Sequence, residues 1–127
     1  MRKNDRKLNE KRKFEILPNY IANADGSVLA SMGNTRVICT ATIDDSVPRF
    51  LKNSGTGWLT AEYAMIPAST NTRKRREIKS GRQDGRGKEI ERIIGRSLRT
   101  AIDFSTLGEY TITLDCDVID ADGGTRT

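Results

Sequence analysis

Three segments of this 127-residue chain concentrate side chains suited to chemistry on anions, and the whole chain contains no histidine. The last of the three is Gly123-Gly124-Thr125-Arg126. Its two glycines let a backbone turn tightly and bring N–H groups close to an anion. Its hydroxyl adds a donor, and its guanidinium fork matches phosphate oxygens. As a bare motif it is also an ordinary turn. The second segment, Ser80-Gly81-Arg82-Gln83-Asp84-Gly85-Arg86-Gly87, leads straight into a helical pattern. Arg86 therefore sits just ahead of a helix N-terminus, with its free N–H groups and partial positive charge. The bland alternative is a linker with incidental arginines. The third, Arg73-Lys74-Arg75-Arg76, suits either salt-dependent contacts to a phosphate backbone or a solvated patch. No aromatic residue is interleaved in it, so base stacking is not indicated within the run.

Without histidine, triads, metal ligands and general bases of that type are excluded within the chain. Cys39 and Cys116 stand far apart in sequence, match no metal spacing and read as reduced core residues of a cytoplasmic protein. The net charge of +5 is unevenly spread: residues 1–13 carry +5, residues 73–88 carry +6, and the remainder carries −6. Two basic segments on a mildly acidic body attract a polyanion to defined places. Apolar content of 35% and charged content of 31% suit a globular domain. No apolar run approaches the roughly 20 residues of a membrane span. The basic start lacks the apolar stretch of a secretory signal, so no membrane partner is expected.

The elements that must position these segments follow from periodicity. Residues 14–23 read as a strand with an edge or bulge at Pro18, and Asp25-Gly26 as a hairpin turn. Residues 27–32 and 35–43 are further strands, joined by Gly33-Asn34. Trp58 to Met65 is a short strand, and 67–87 a long polar loop of the kind that usually has a function. Residues 88–103 are predicted helical, with Ile90, Ile93, Ile94, Leu98, Ala101 and Ile102 on one stripe and Lys88, Arg92, Arg96 and Arg99 opposite. Gly95 marks a place where another backbone packs close. Tyr110, Ile112, Leu114, Cys116 and Val118 alternate with polar residues as a half-buried strand. The sum is an α+β two-layer sandwich, a sheet plus one helix. With only one helix to cover the sheet, it reads as incomplete at the C-terminus.

Several blocks resemble the RNase PH family. They are Gly57-Trp58-Leu59-Thr60-Ala61-Glu62-Tyr63-Ala64-Met65, Thr72-Arg73-Lys74-Arg75-Arg76-Glu77, the helix from Glu89 to Arg99, and the run from Asp115 to Thr127. Gly26-Ser27-Val28-Leu29, Gly33-Asn34-Thr35 and Pro48-Arg49-Phe50 extend the match over the whole chain. The resemblance implies an RNase PH domain, similar to the second domain of ribosomal protein S5, of which residues 1–127 are the N-terminal part. It implies phosphorolysis: inorganic phosphate, as co-substrate, attacks the last phosphodiester of RNA and releases a nucleoside diphosphate. The implied substrates are extended 3′ ends of precursor tRNA and other RNA 3′ ends, and the implied assembly is a hexameric ring of dimers. Arg86, Gly124, Thr125 and Arg126 match phosphate-binding positions, and Arg73 and Arg76 match arginines that contact RNA.

The chain departs from the family pattern at Ala68, usually arginine, and Asn71, usually histidine; Gly87 and Glu91 are also unusual. The family's catalytic and metal-binding aspartates, which imply Mg2+, lie beyond Thr127, so no catalytic residue or metal ligand is expected here. Asp115, Asp117, Asp120 and Asp122 are expected to be structural. The chain alone is expected to be inactive, poorly covered on one sheet face and open at the free edge of its last strand. The alternative is a non-catalytic RNA-binding subunit of an RNase PH-like ring. A free basic module of the ribosomal S5 type is a weaker third reading.

Overall fold

The computed structural model describes residues 5–81, 85–123 and 125. Strands β1 (Phe14–Pro18), β2 (Gly26–Met32) and β3 (Thr35–Asp44) form the expected antiparallel meander. β1 is shorter than its sequence pattern. Pro18 cannot donate to a ladder, and Asn19 turns the chain away at φ 57, a conformation asparagine tolerates. β4 (Trp58–Met65) matches its predicted span. The loop expected over 67–87 contains a 3-10 turn at Pro67–Ser69 and a one-turn helix, α1 (Glu77–Ser80), both too short to show a period in sequence. α2 (Gly85–Arg99) starts three residues before the predicted helix and stops four residues short of its predicted end. Asp103 ends the helical region by capping a further short helix, α3 (Phe104–Leu107), through the Ser105 and Thr106 amides. β5 (Thr111–Asp120) follows.

The strand order is β1-β2-β3-β5-β4. β5 is antiparallel to β3 and parallel to β4, so the last strand has both edges paired, contrary to the expectation of a free edge there. The physical reason is the crossover between β4 and β5, long enough to return the chain parallel to β4 and insert the new strand inside the sheet. The free edges belong to β1 and β4.

Leu59, Ala61 and Tyr63 of β4 and Cys116 and Val118 of β5 alternate into the core. Tyr63, Cys116 and Val118 form one cluster with Ile90 of α2, which is 1% exposed, while Val118 is 0% exposed. Val37, Cys39, Met65 and Ile94 pack around this cluster. α2 lies chiefly over β4. The helix-facing surface of β1–β3 remains a groove of about 390 Å³ lined by Phe14, Ala30, Met32, Val37, Ile94 and Leu98 among others. Among the described residues no helix is long and apolar enough to cross a membrane.

Arg99 does not sit on a solvated helix face as its spacing suggested. Its guanidinium lies 4.2 Å from the centre of the Trp58 ring, and its Nε donates to the Leu59 carbonyl at 2.9 Å. Gly95 makes room for this, because a Cβ there would stand 3.2 Å from Arg99 Nη2. The close neighbour of Gly95 is therefore a side chain rather than a backbone. Glu91 accepts from the Tyr63 amide at 3.2 Å. Two helix side chains thus satisfy outward-pointing backbone groups on the β4 edge, which blunts it as a pairing template. Cys39 and Cys116, distant in sequence, are directly opposed on β3 and β5. Their hydrogen bond, and then burial, push the Cys116 thiol far above its ordinary range.

The sheet face turned away from α2 carries Glu62 opposite Asp115. A hydrogen bond to Asp115 and then its charge raise the Glu62 carboxyl above its usual value of 4.5. Burial, followed by the charge of Asp115, raises Asp117. A raised carboxyl binds its proton more tightly in the folded chain. Its stabilising contribution is present below the ordinary value and is lost as pH rises through the folded one. Glu62→Gln is therefore expected to raise the Tm at pH 7 by roughly 2 °C, the scale of an exposed interaction of about 0.5 kcal/mol. Thermal melts followed by circular dichroism should show this gain vanish below about pH 4. A variant equal to the parent at both pH values would show that the carboxyls do not oppose one another.

Candidate phosphate and polyanion site

The approach to the C-terminal glycine-rich segment is held by side chains from distant elements. As the chain leaves β5, the Ala121 amide donates to the Ser69 carbonyl at 2.8 Å. The Asp122 amide donates to Thr35 Oγ1 at 2.9 Å, and Thr35 Oγ1 donates back to the Asp122 carbonyl at 3.1 Å. Arg12 Nη1 donates to the same carbonyl and to Thr35 Oγ1, the latter at 3.3 Å. Asn34 Nδ2 donates to the Asp122 carboxylate at 3.3 Å. Thr35 is only 4% exposed, and one donated and two accepted bonds fill the capacity of its hydroxyl. Gly123 turns at φ 93, where a side chain is disfavoured. The Thr125 hydroxyl lies 2.8 Å from the Tyr63 hydroxyl. Gly124 and Arg126, the other two expected phosphate-binding residues of this segment, lie outside the described residues.

Tyr63 also lines a second feature. A cleft of about 200 Å³ is bounded by Tyr63, Met65, Lys74, Arg75, Arg76, Glu77 and Arg86. Arg86 falls in the first turn of α2, one position inside the helix rather than ahead of it, and Gly87 behind it is buried. Arg76 stands at the N-terminal flank of α1, which Gly81 ends at φ 83. The Lys74 amide donates to the Pro67 carbonyl at 2.8 Å, which folds the basic run back toward the exit of β4. Arg75 Nη2 donates to the Lys79 carbonyl at 3.0 Å. The structure thus brings Arg76 and Arg86 to one cleft. Arg73 is exposed and is not among the residues that line it.

Sequence reasoning did not single out Arg12, Asn34, Thr35 or Tyr63 as site residues. Only Tyr63 carried a local signal: alternation along β4 places a tyrosine at an inward position, where its hydroxyl needs a partner. Among the described residues no group of three or more His, Cys, Asp or Glu is placed to hold a metal ion. The described carboxylates therefore do not fit a magnesium site.

Tyr63→Phe removes the hydroxyl that meets Thr125 and leaves the ring in the core. The expected cost is about 1 kcal/mol of stability, that of one hydrogen bond. Urea unfolding should show a lower midpoint at constant slope. An unchanged midpoint would mean that the bond to Thr125 contributes nothing in solution.

The model of the 3′ exoribonuclease family, domain 1, matches residues 10–127. The structure of rice (Oryza sativa) Rrp46 superposes with a TM-score of 0.76 at 20% identity, covering 98% of this chain and 54% of that one, a likeness of fold. The Archaeoglobus fulgidus exosome with RNA bound to the active site is similar at TM-score 0.76 and 26% identity, covering 91% of this chain and 46% of that chain. An archaeal exosome core is similar at TM-score 0.71 and 25% identity, covering 93% and 44%. The chain spans about half the length of these structures. Its five-stranded mixed sheet with helices is the α+β fold of RNase PH-like exosome proteins. The chain belongs to the 3′ exoribonuclease family, of which residues 10–127 are an RNase PH domain 1.

Proposed function

We propose that this chain is the phosphate- and RNA-holding part of a phosphorolytic 3′→5′ exoribonuclease that trims the 3′ ends of precursor tRNA. The observation that carries the reading is the shared cleft of Arg76 and Arg86, tied through Tyr63 to Thr125. The RNA bound at the active site of the similar Archaeoglobus exosome supports RNA as the polymer.

The chemistry explains the residue types. A phosphate oxygen attacks the phosphorus of the terminal phosphodiester. The bond from that phosphorus to the O3′ of the penultimate nucleotide breaks, the O3′ takes a proton, and a nucleoside diphosphate leaves. Two like charges 4 Å apart repel by about 1 kcal/mol in water and about 4 kcal/mol at an effective dielectric of 20. Arg86 and Arg126, the Thr125 hydroxyl and the Gly124 amide hold the attacking phosphate against this repulsion. Arg76 and Arg73 hold the RNA backbone. Mg2+ is the metal the family implies; it would be held by residues other than those described and would supply further charge neutralisation. Assembly as a ring of dimers belongs to the same proposal.

A second reading, an RNA-holding ring subunit without catalysis, is favoured by Ala68 and Asn71. These stand in and just after the Pro67–Ser69 turn, beside the basic run, where the family usually has a cation and a histidine. The test is nucleoside diphosphate release from a 3′-extended tRNA by the intact protein containing this chain, with phosphate as the variable. Release that rises with phosphate is expected. Arg86→Ala and Arg126→Ala should each raise the phosphate KM by about 10- to 100-fold, for charge-assisted bonds of roughly 1.5–3 kcal/mol. Arg73→Ala and Arg76→Ala should weaken tRNA binding and lower its salt slope by about 0.7–0.9 for each phosphate that is no longer neutralised. RNA binding with no release would select the second reading. Release of monophosphates irrespective of phosphate would overturn phosphorolysis.

A further inference from the structure

We infer that Arg12, from the segment ahead of β1, is a positioning residue of the glycine-rich phosphate loop; this rests on the proposed function and deepens it. Arg12 is half-buried, although it belongs to the basic N-terminal arm. Its stem lies across the Gly33 turn, where a Cβ would stand 3.1 Å from Arg12 Cδ. Its guanidinium lies against Gly123, where a Cβ would stand 3.4 Å from Nη1. Both glycines have positive φ, 60 and 93. The side chain thus bridges two turns that must remain glycine, one opening β3 and one leading into the phosphate loop.

The bond it makes closes a small network. The carbonyl of Asp122 accepts from both Arg12 and Thr35, its amide donates to Thr35, and its carboxylate accepts from Asn34. Every polar group of residue 122 is held before the chain enters Gly123-Gly124-Thr125-Arg126. Gly123, without a Cβ, would otherwise sample a wide range of conformations, and binding an anion would cost the entropy of ordering it. Holding the stem of the loop lowers that cost, which is how preorganisation raises affinity without a new contact. Arg12 touches neither RNA nor phosphate in this reading and acts through the backbone of residue 122. Its effect is therefore on phosphate use and not on RNA affinity.

The test compares Arg12→Met, which keeps the stem over Gly33 and loses the donor, with Arg12→Lys, which keeps stem, charge and one donor. Thr35→Val removes the partner hydroxyl at constant shape. Each is measured in the intact protein for the phosphate KM of nucleoside diphosphate release, for tRNA affinity and for Tm, with Arg86→Ala as reference. Arg12→Met and Thr35→Val are expected to raise the phosphate KM about tenfold, with tRNA affinity unchanged and Arg12→Lys recovering most of the loss. If Arg86→Ala weakens phosphate use and Arg12→Met does not, the inference on Arg12 fails and the phosphate site stands. If neither changes it, the assignment of the phosphate site fails and the inference falls with it. Loss of phosphate affinity, tRNA affinity and Tm together in Arg12→Met, without rescue by lysine, would make Arg12 a general prop and overturn the inference. Should Arg12→Met not fold, the Lys and Val variants decide: Thr35→Val with a parental phosphate KM overturns the inference.

Discussion

The parallel pairing of β4 with β5 governs the rest of this structure. A parallel pair cannot close through a hairpin, so the chain must travel back along the sheet before β5 begins. That return path holds the arginine-rich run, α1 and α2. It also sends β4 and β5 out at the same end of the sheet, with Met65 beside Val118. The loops that follow the two strands therefore start side by side. Here the two exits are joined directly by the bond from Ala121 to Ser69. The antiparallel neighbours complete the arrangement. β3 begins where β5 ends, which brings Asn34 and Thr35 to Asp122, and β1 begins at the same end, which brings Arg12. Segments far apart in sequence meet there because the strand directions leave them nowhere else to go.

Periodicity in sequence reports on one element at a time, and that is the limit of what was legible. β4 alternates cleanly and was readable to the residue; α2 was readable as an element, but not at its ends. Its early start at Gly85 follows from Arg86 and Gly87 closing against the cleft, a tertiary fact without a local pattern. Sheet order was not legible, since the pattern of β5 is the same for an edge strand and an inner one. The same limit applies to side chains that act across elements. Arg99 lies on a charged stripe by helical spacing, yet it reaches around to Trp58 and Leu59 because Gly95 leaves the space. Cys39 and Cys116 stand isolated in sequence because the register that opposes them is set by β3 and β5 together. In the C-terminal glycine-rich segment the residue types stood in the sequence, whereas the side chains that hold its stem, Arg12, Asn34 and Thr35, come from distant elements and had no local signal.

The two edges of the sheet are treated differently, and the helix explains why. On β4, Glu91 and Arg99 of α2 occupy outward backbone groups. Among the described residues β1 has no helix packed on its edge: all five of its residues are exposed, and Pro18 at its end limits further pairing. The groove between α2 and β1–β3 follows from the same geometry, since one helix of 15 residues cannot cover five strands. Coverage is concentrated where the arginine-rich and glycine-rich segments leave β4 and β5. The buried cluster of Tyr63, Ile90, Cys116 and Val118 adjoins the cleft through Tyr63, which belongs to both.

Charge is partitioned along with coverage. Glu62, Asp115 and Asp117 project from the sheet face turned away from the core, where crowding raises the carboxyls of Glu62 and Asp117. The cations Lys74, Arg76, Arg86 and Arg12 gather at the end where β4 and β5 exit. One acid, Glu77, lines the cleft among these cations; were Glu62, Asp115 and Asp117 there as well, local pairs would neutralise the cleft further and weaken its field. Keeping those three acids on another surface tolerates some repulsion there and leaves the cationic end with an excess of positive charge to attract a polyanion. The net charge of +5 understates this, because it averages a basic end with an acidic face. A phosphate backbone approaching the chain meets the average only from a distance; within a Debye length of about 8–10 Å it meets the arginines.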